Sequence, residues 1–449
     1  MILRLSESQK TWALQNLCEL VKIPSVSFEG FDSKHVHESA RATAEMFRAL
    51  GFQNVELMQI DNCFPYVCAE YVTDPKKPTL LLYAHHDVQP EGRRELWKTE
   101  PFMPLQKDGR LYGRGTADDK AGIMVHAAAF KLWKDSGAEL PVNLKVIIEG
   151  EEEVGSDHLF PFLKAHQKRF QCDVIVVTDT ANIDSGVPSL TTSLRGLVVV
   201  EVEVKSLHAP LHSGLWGGGV VDPVQVLTKM LASLTDERGV IQLKSIGRIP
   251  EKDYSAVPVG RKEFAKQAGV IREESVPENP WNLVWNAPSL SVNAIQASSE
   301  KLANNIVCDR AFARVGIRVT ERERAADVQE DLLQHFRKHS PSTVEVNLKA
   351  QEPADAWATN PDSPKNRNAF QAAFGALEKA YGCKAHAIGC GASIPFIKPF
   401  EESLNAPVIT FGVEDPYTLA HSENESLLLS DFWKTIEAEA EFFRSVSKI

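Results

Sequence analysis

The sequence predicts an α/β catalytic domain with a mainly parallel sheet, interrupted by an inserted α+β domain. Three observations predict it. Strands and helices alternate through the first half of the chain, which implies parallel strands covered on both faces. Near Gly196 the order becomes strand–helix–strand–strand–helix–strand, the split ferredoxin-like unit. After residue 352 helix and strand alternate again. The expected division is residues 1–196 and 353–449 for the α/β domain and 197–352 for the insertion.

The elements follow in chain order. Trp12, Leu14, Leu17, Leu20 and Val21 give residues 6–22 one apolar face, as a helix requires. A second helix runs from His37 to Leu50 and stops at Gly51. Strands are expected at 54–60, 65–72 and 79–84, a helix at 120–134, and strands at 142–148 and 173–178. In the insertion, LVVVEVEVK (197–205) alternates apolar and polar residues as a half-exposed strand does. A helix at 222–234, strands at 289–296 and 312–320, a helix at 324–338 and a strand at 343–349 complete the unit. Residues 236–288, rich in Pro, Gly and charge, interrupt it and are expected to carry some structure of their own. A helix at 366–381, a Gly-rich loop at 389–393, a strand at 407–412 and a helix at 428–446 close the chain.

Composition bounds the function. The 449 residues suffice for more than one domain at ~100–200 residues each. A net charge of −11 argues against nucleic-acid binding and against docking on anionic lipid, since no basic surplus exists to neutralise phosphates. No stretch resembles a membrane span or a secretory signal. The seven scattered cysteines contain no CxxC pair and read as free thiols in a reducing cytoplasm.

The chemistry concentrates where predicted strands end, and open α/β sheets bind ligands at that edge. LLLYAHHDVQP (80–90) runs into His85-His86-Asp87. Residues i and i+2 of an extended segment share a face, so His85 and Asp87 point together and His86 points away. Asp87 is placed either to orient a ligating His85 or to hold a third group. LYGRGTADDKAG (111–122) puts Asp118 and Asp119 at a helix start, where they could cap the helix or bridge two cations. VIIEGEEEVGS (146–156) crowds four carboxylates into five positions, which repel unless solvated or neutralised by cations. Asp179 and His421 follow two further strands. Nitrogen and oxygen donors without sulfur suit a catalytic zinc, manganese or cobalt site. Two ions sharing a carboxylate can activate a water and polarise a carbonyl.

HHDVQP, GRGTADDKAG, EGEEEVGS, HSGLWGGG, GASIP and AHSENE, in this order, resemble the M20 family of co-catalytic metallopeptidases. DVQP and HSGxxGG make the chain most similar to its carnosinase and cytosolic non-specific dipeptidase group. The resemblance spans almost the whole chain. It implies two divalent metal ions, zinc first, with manganese or cobalt as alternatives. His85 and Asp179 would bind one ion, Glu153 and His421 the other, and Asp118 would bridge them. Asp87 would support His85, the Asp118–Asp119 peptide would be cis, and Glu152 would be the general base on a metal-bridging water. His212 would reach a neighbouring subunit's site and stabilise the oxyanion, so the insertion would act as lid and as dimerisation domain of a homodimer. Arg318, Asn305, Gly391 and Ser393 would bind the carboxylate end of a small peptide.

The chain departs from that pattern in places. His86 stands where an apolar or aromatic residue is usual, and Cys308 where a proline is usual. A second histidine, His208, precedes His212, but only His212 is followed by Ser-Gly. The implied reaction is hydrolysis of one peptide bond in a dipeptide or small peptide. The alternatives are deacylation of N-acyl amino acids, as other M20 members do, and a metal-binding relative without catalysis.

Overall fold

A computed structural model describes residues 3–393 and 397–448. Its central sheet has six strands in the order Gln53–Met58, Tyr66–Tyr71, Asn143–Glu149, Thr79–His85, Val174–Val177, Val408–Thr410. Three neighbouring pairs are parallel and the two pairs at the Gln53–Met58 edge are antiparallel. The strands Thr79–His85, Asn143–Glu149, Val174–Val177 and Val408–Thr410 therefore end on one edge. His85 and Glu149 are themselves the last residues of their strands and pair with each other.

Alternation along a strand decides which layer each residue joins. Leu80, Leu82 and Ala84 face one core with the helices Glu7–Val21, Lys34–Leu50, Lys120–Asp135, Arg367–Tyr381 and Leu429–Val446. Leu81 and Tyr83 face the other, with Leu159, Phe162, Ile397 and Phe400 from the helices Leu159–Ala165 and Ile397–Leu404. Both faces are covered, so these strands read as near-continuous apolar runs. Truncating one of these leucines to alanine costs about 2–5 kcal/mol.

The second sheet is antiparallel, in the order Ser289–Gln296, Arg310–Val319, Gly196–Lys205, Glu345–Ala350. With the helices Pro223–Ala232 and Ala325–His339 on one face, it is the expected ferredoxin-like unit. Val198, Val200, Val202 and Val204 supply the buried face of its central strand. Between residues 236 and 288 the chain forms two short helices, Arg261–Gln267 and Pro280–Asn286. The latter packs Trp281 flat on Trp285.

Residues 195–197 and 350–358 carry the chain between the two sheets. They are tied by reciprocal backbone hydrogen bonds between Leu197 and Ala354, at 2.8 and 3.0 Å. The periodicity did not reveal a three-stranded sheet beside this crossover, Trp357–Ala358, Ser189–Leu194 and His386–Cys390. Its strands are short and pair across the insertion, so no local pattern marks them. Among the described residues no helix is long and apolar enough to cross a membrane.

Candidate active site

Two groups of side chains at the sheet edge could each hold a metal ion: His85, Glu152 and Asp179, and Asp118, Glu153 and His421. Within each group the donor atoms all lie within 4.8 Å of one another. Asp118 stands between the groups. Its Oδ1 is 3.0 Å from His85 Nε2 and its Oδ2 is 3.0 Å from His421 Nε2. A carboxylate that shows one oxygen to each histidine has the disposition a bridging ligand needs. His421 adopts a left-handed backbone, φ 60°, and also lies 3.3 Å from Glu153.

The tautomer of His85 follows from its contacts. Nδ1–H donates to the carbonyl oxygen of Asp87 at 3.1 Å, which leaves Nε2 as the coordinating nitrogen. The Asp87 carboxylate is 3.5 Å from the same Nδ1 and does other work. It accepts the backbone N–H groups of Glu152 at 3.2 Å and Glu153 at 3.0 Å, and the Ser27 hydroxyl at 2.7 Å. The Asp87 carboxylate thus meets both groups open to it, standing beside His85 and holding the turn that carries both glutamates. His86 points away, as expected: its Nε2–H donates to the Pro65 carbonyl at 2.9 Å.

The Asp118–Asp119 peptide is cis. Asp119 turns back under the strand end, where its Oδ2 accepts the backbone N–H of His85 at 3.3 Å. Gly122 permits this: a Cβ there would meet Asp119 Oδ1 and Thr178 Oγ1 at 2.2 Å. The segment before Asp118 is held by Glu425, which accepts N–H groups of Gly115, Ala117 and Asp118 at 2.9, 3.0 and 3.2 Å. Arg114 neutralises Glu425 at 2.8 Å in full burial.

The electrostatics is that of a site short of positive charge. Burial, then repulsion from Asp179 and Glu153, pushes Glu152 well above the usual carboxylate range, with His85 opposing. Burial and Asp118 raise Glu153 to about 8, and burial and Asp118 raise Asp179 to about 6. Asp118 goes the other way. Burial opposes its ionisation, but contacts to His421 and His85 hold its carboxyl well below the usual range. Two divalent cations would relieve this repulsion, and the nitrogen and oxygen donors suit them. On donor chemistry and on charge, the residues present fit a pair of metal ions.

Of the predicted substrate residues, Arg318, Gly391 and Ser393 come together. Arg318 Nη1 donates to Ser393 Oγ at 2.6 Å, and that hydroxyl donates to the Arg195 carbonyl at 2.5 Å. Arg195 Nε donates to the Gly391 carbonyl at 3.0 Å, and its backbone N–H to Ala392 at 3.1 Å. The Ile394 and Pro395 part of the GASIP motif lies outside the described residues. His212 and Asn305 stand apart from this site. His212 pairs with Ile306 in a two-residue ladder, and Ser213 donates to the Asn305 carbonyl at 2.9 Å. Both are exposed, and no hydrogen bond or ion pair links either to the carboxylate groups among the described residues.

Sequence reasoning missed Gln89, Glu425, Arg195 and Ser27. Gln89 grips the Glu153 carboxylate with its backbone N–H at 2.9 Å and its side-chain amide at 2.7 Å. Its signal was available, since Gln89 lies two residues beyond Asp87 on the same extended segment. Glu425 closes the AHSENE motif, but nothing local gave its role, and Arg195 carried no local signal, because the partners of both are distant in sequence.

The chain matches peptidase family M20/M25/M40 over residues 81–445. It is 32% identical to the cysteinylglycine-S-conjugate dipeptidase of Corynebacterium striatum, over 83% of this chain and 82% of that one. It is 28% identical to the Cys-Gly metallodipeptidase dug1 of Schizosaccharomyces pombe, over 99% and 97%. Among solved structures, human carnosine dipeptidase 1 superposes with a TM-score of 0.86 at 26% identity, covering 99% of this chain and 97% of that one. The dipeptidase Dug1p of Saccharomyces cerevisiae gives 0.84 at 26% identity, with the same coverage. The chain therefore belongs to peptidase family M20/M25/M40 and is a metallopeptidase.

Proposed function

We propose that the protein hydrolyses the peptide bond of dipeptides, with Glu152 as general base and acid. The observation that carries this is the contrast between neighbouring glutamates. Gln89 fixes Glu153 through both carboxylate oxygens. The Glu152 carboxylate accepts no hydrogen bond among the described residues; the ring nitrogen it faces, His85 Nε2, is 3.9 Å away. One glutamate is held still, as a ligand should be, and the other is free to take and give a proton. The relatives named as Cys-Gly and Beta-Ala-His dipeptidases support the substrate class.

In this reading His85 and Asp179 would hold one ion, Glu153 and His421 the other, and Asp118 would serve both. Bound there, zinc or a similar divalent pair supplies Lewis acidity and lowers the pKa of an attacking water. Glu152 would take a proton from the attacking water as the water oxygen adds to the scissile carbonyl, then deliver it to the leaving amine nitrogen. Asp87 keeps Glu152 in place through its backbone N–H. Arg318, with Ser393 and Gly391, takes the substrate's terminal carboxylate.

His212 belongs to the proposal as a residue that acts in a second subunit of a homodimer. Its exposure, its separation from its own carboxylate groups and its neighbour Asn305 support this. The insertion also presents an exposed edge strand, Ser289–Gln296, with Val292 and Ile295 uncovered. All seven cysteines are free thiols, in keeping with a reducing cytoplasm.

Metal-replete Glu152→Gln is the test. It is expected to keep its metal content and lose about 10²–10⁴ in kcat, the range of general acid–base catalysis. Near-normal turnover would refute the assignment.

A further inference from the structure

Resting on the dipeptidase reading, the inference concerns how the site distinguishes a dipeptide from an N-acyl amino acid. Glu414 follows the strand Val408–Thr410, and its backbone is pinned against the segment that carries Asp179. Its N–H meets the Thr180 carbonyl at 3.5 Å, and its carbonyl accepts the Asn182 N–H at 2.9 Å. The next residue, Asp415, is locked by both Nη atoms of Arg110 at 2.8 Å. The Glu414 backbone is therefore fixed on both sides.

Its side chain is not satisfied. Among the described residues the Glu414 carboxylate makes no hydrogen bond and no ion pair, and its Oε1 is buried without a partner. The charged groups that act on it most strongly are Asp118, Asp179, Glu425 and Asp119, all carboxylates. Burial, then repulsion from Asp118 and Asp179, drives its pKa well above the usual range. Metal ions answer for Asp118 and Asp179, but Glu414 belongs to neither metal-holding group. A carboxylate so placed calls for a cation of another kind.

A second unanswered charge of opposite sign exists. Arg318 and Arg195 bind only hydroxyl and carbonyl oxygens, with no carboxylate partner among the described residues. Neither arginine pairs with Glu414. The zwitterion of a dipeptide carries the complement of both charges, an ammonium at one end and a carboxylate at the other. We propose that Glu414 binds the free α-ammonium group of the substrate and thereby selects dipeptides over N-acyl amino acids. An acyl group brings no positive charge, so it would leave the buried Oε1 of Glu414 without a partner.

Alanyl-glycine and its desamino analogue propionyl-glycine differ only in that ammonium group. The test compares kcat/KM for the two in the metal-loaded protein and in Glu414→Gln, with bound metal measured in parallel. The wild-type protein is expected to prefer alanyl-glycine. Glu414→Gln is expected to reduce that preference about ten- to a hundredfold, the size of a charge-assisted hydrogen bond, with metal content unchanged. Glu414→Asp is expected to retain the preference. Glu414→Met, uncharged and of similar length, must repeat the loss if Gln disturbs folding. An equal fall on both substrates, or loss of metal from the Gln variant, would overturn the proposal by making Glu414 a support of the metal groups. A wild-type preference for propionyl-glycine would instead sink the dipeptidase reading itself.

Discussion

Asp87 accepts the backbone N–H of Glu153 at 3.0 Å, so an aspartate at the end of one strand positions a glutamate at the end of the next. It holds the N–H of Glu152 in the same way. Asp87→Ala is expected to loosen that turn and weaken metal binding about 10–100-fold, as loss of a residue supporting a metal ligand does. Metal titration followed by calorimetry checks it; wild-type affinity would show that the turn stands without Asp87.

Glu425 does for Asp118 what Asp87 does for Glu153, and it does so in full burial with Arg114. Removing one partner of a buried pair leaves an uncompensated charge. Glu425→Ala is therefore expected to destabilise the fold by about 3–5 kcal/mol and to disorder the segment before Asp118. Denaturant unfolding of the metal-free protein measures the first effect apart from the second.

His86 should be dispensable for the metals and relevant to stability. Among the described residues its Nδ1 has no hydrogen-bond partner, and its Nε2–H pairs with Pro65. His86→Leu is expected to bind metal as the wild type does and to lose about 1–3 kcal/mol by leaving that carbonyl unpaired.

The same residue carries a pH signature. Burial lowers its pKa from 6.5 to about 4. Between those values the unfolded chain takes up a proton that native His86 refuses, so the folded state loses stability as pH falls from 6.5 towards 4. At the low end the loss reaches about 3 kcal/mol. His86→Leu should lack this component, so the gap between variant and wild type should narrow as pH falls through that window. A constant gap would show that His86 does not titrate there.

Action of His212 across subunits is tested by mixing. Glu152→Ala and His212→Ala subunits, each inactive alone, are allowed to exchange. One site in each heterodimer then holds both groups, and up to about a quarter of wild-type activity per site should return if random exchange makes half the dimers mixed. No recovery after verified exchange would place His212 elsewhere in the mechanism.

The fold was legible in the periodicity, and the candidate metal ligands in where its elements end together with the motifs that resemble the M20 family. Leu80 to Ala84 read as a doubly buried strand because alternate residues meet different cores, and ligands cluster where such strands end. His85, Asp118, Glu152, Glu153, Asp179 and His421 each lie at or beyond an element whose periodicity announced it. Arg195 was not legible. It sits at the crossover into the insertion and reaches Gly391, almost two hundred residues away.

The sequence by itself placed nitrogen and oxygen donors where strands end and helices begin, because strand parity and donor type are local properties, and its resemblance to the M20 family implied which of them would hold metal. It also determined that His86 turns away from His85. Only the tertiary structure decided what the remaining polar groups do. It turned the Asp87 carboxylate to the glutamate turn, gave Gln89 to Glu153 and left Glu152 uncommitted. It also set Glu414 among carboxylates, with no cation paired to it among the described residues. Those outcomes depend on which chain segments meet, and a charge is satisfied or left wanting only by neighbours that folding brings to it.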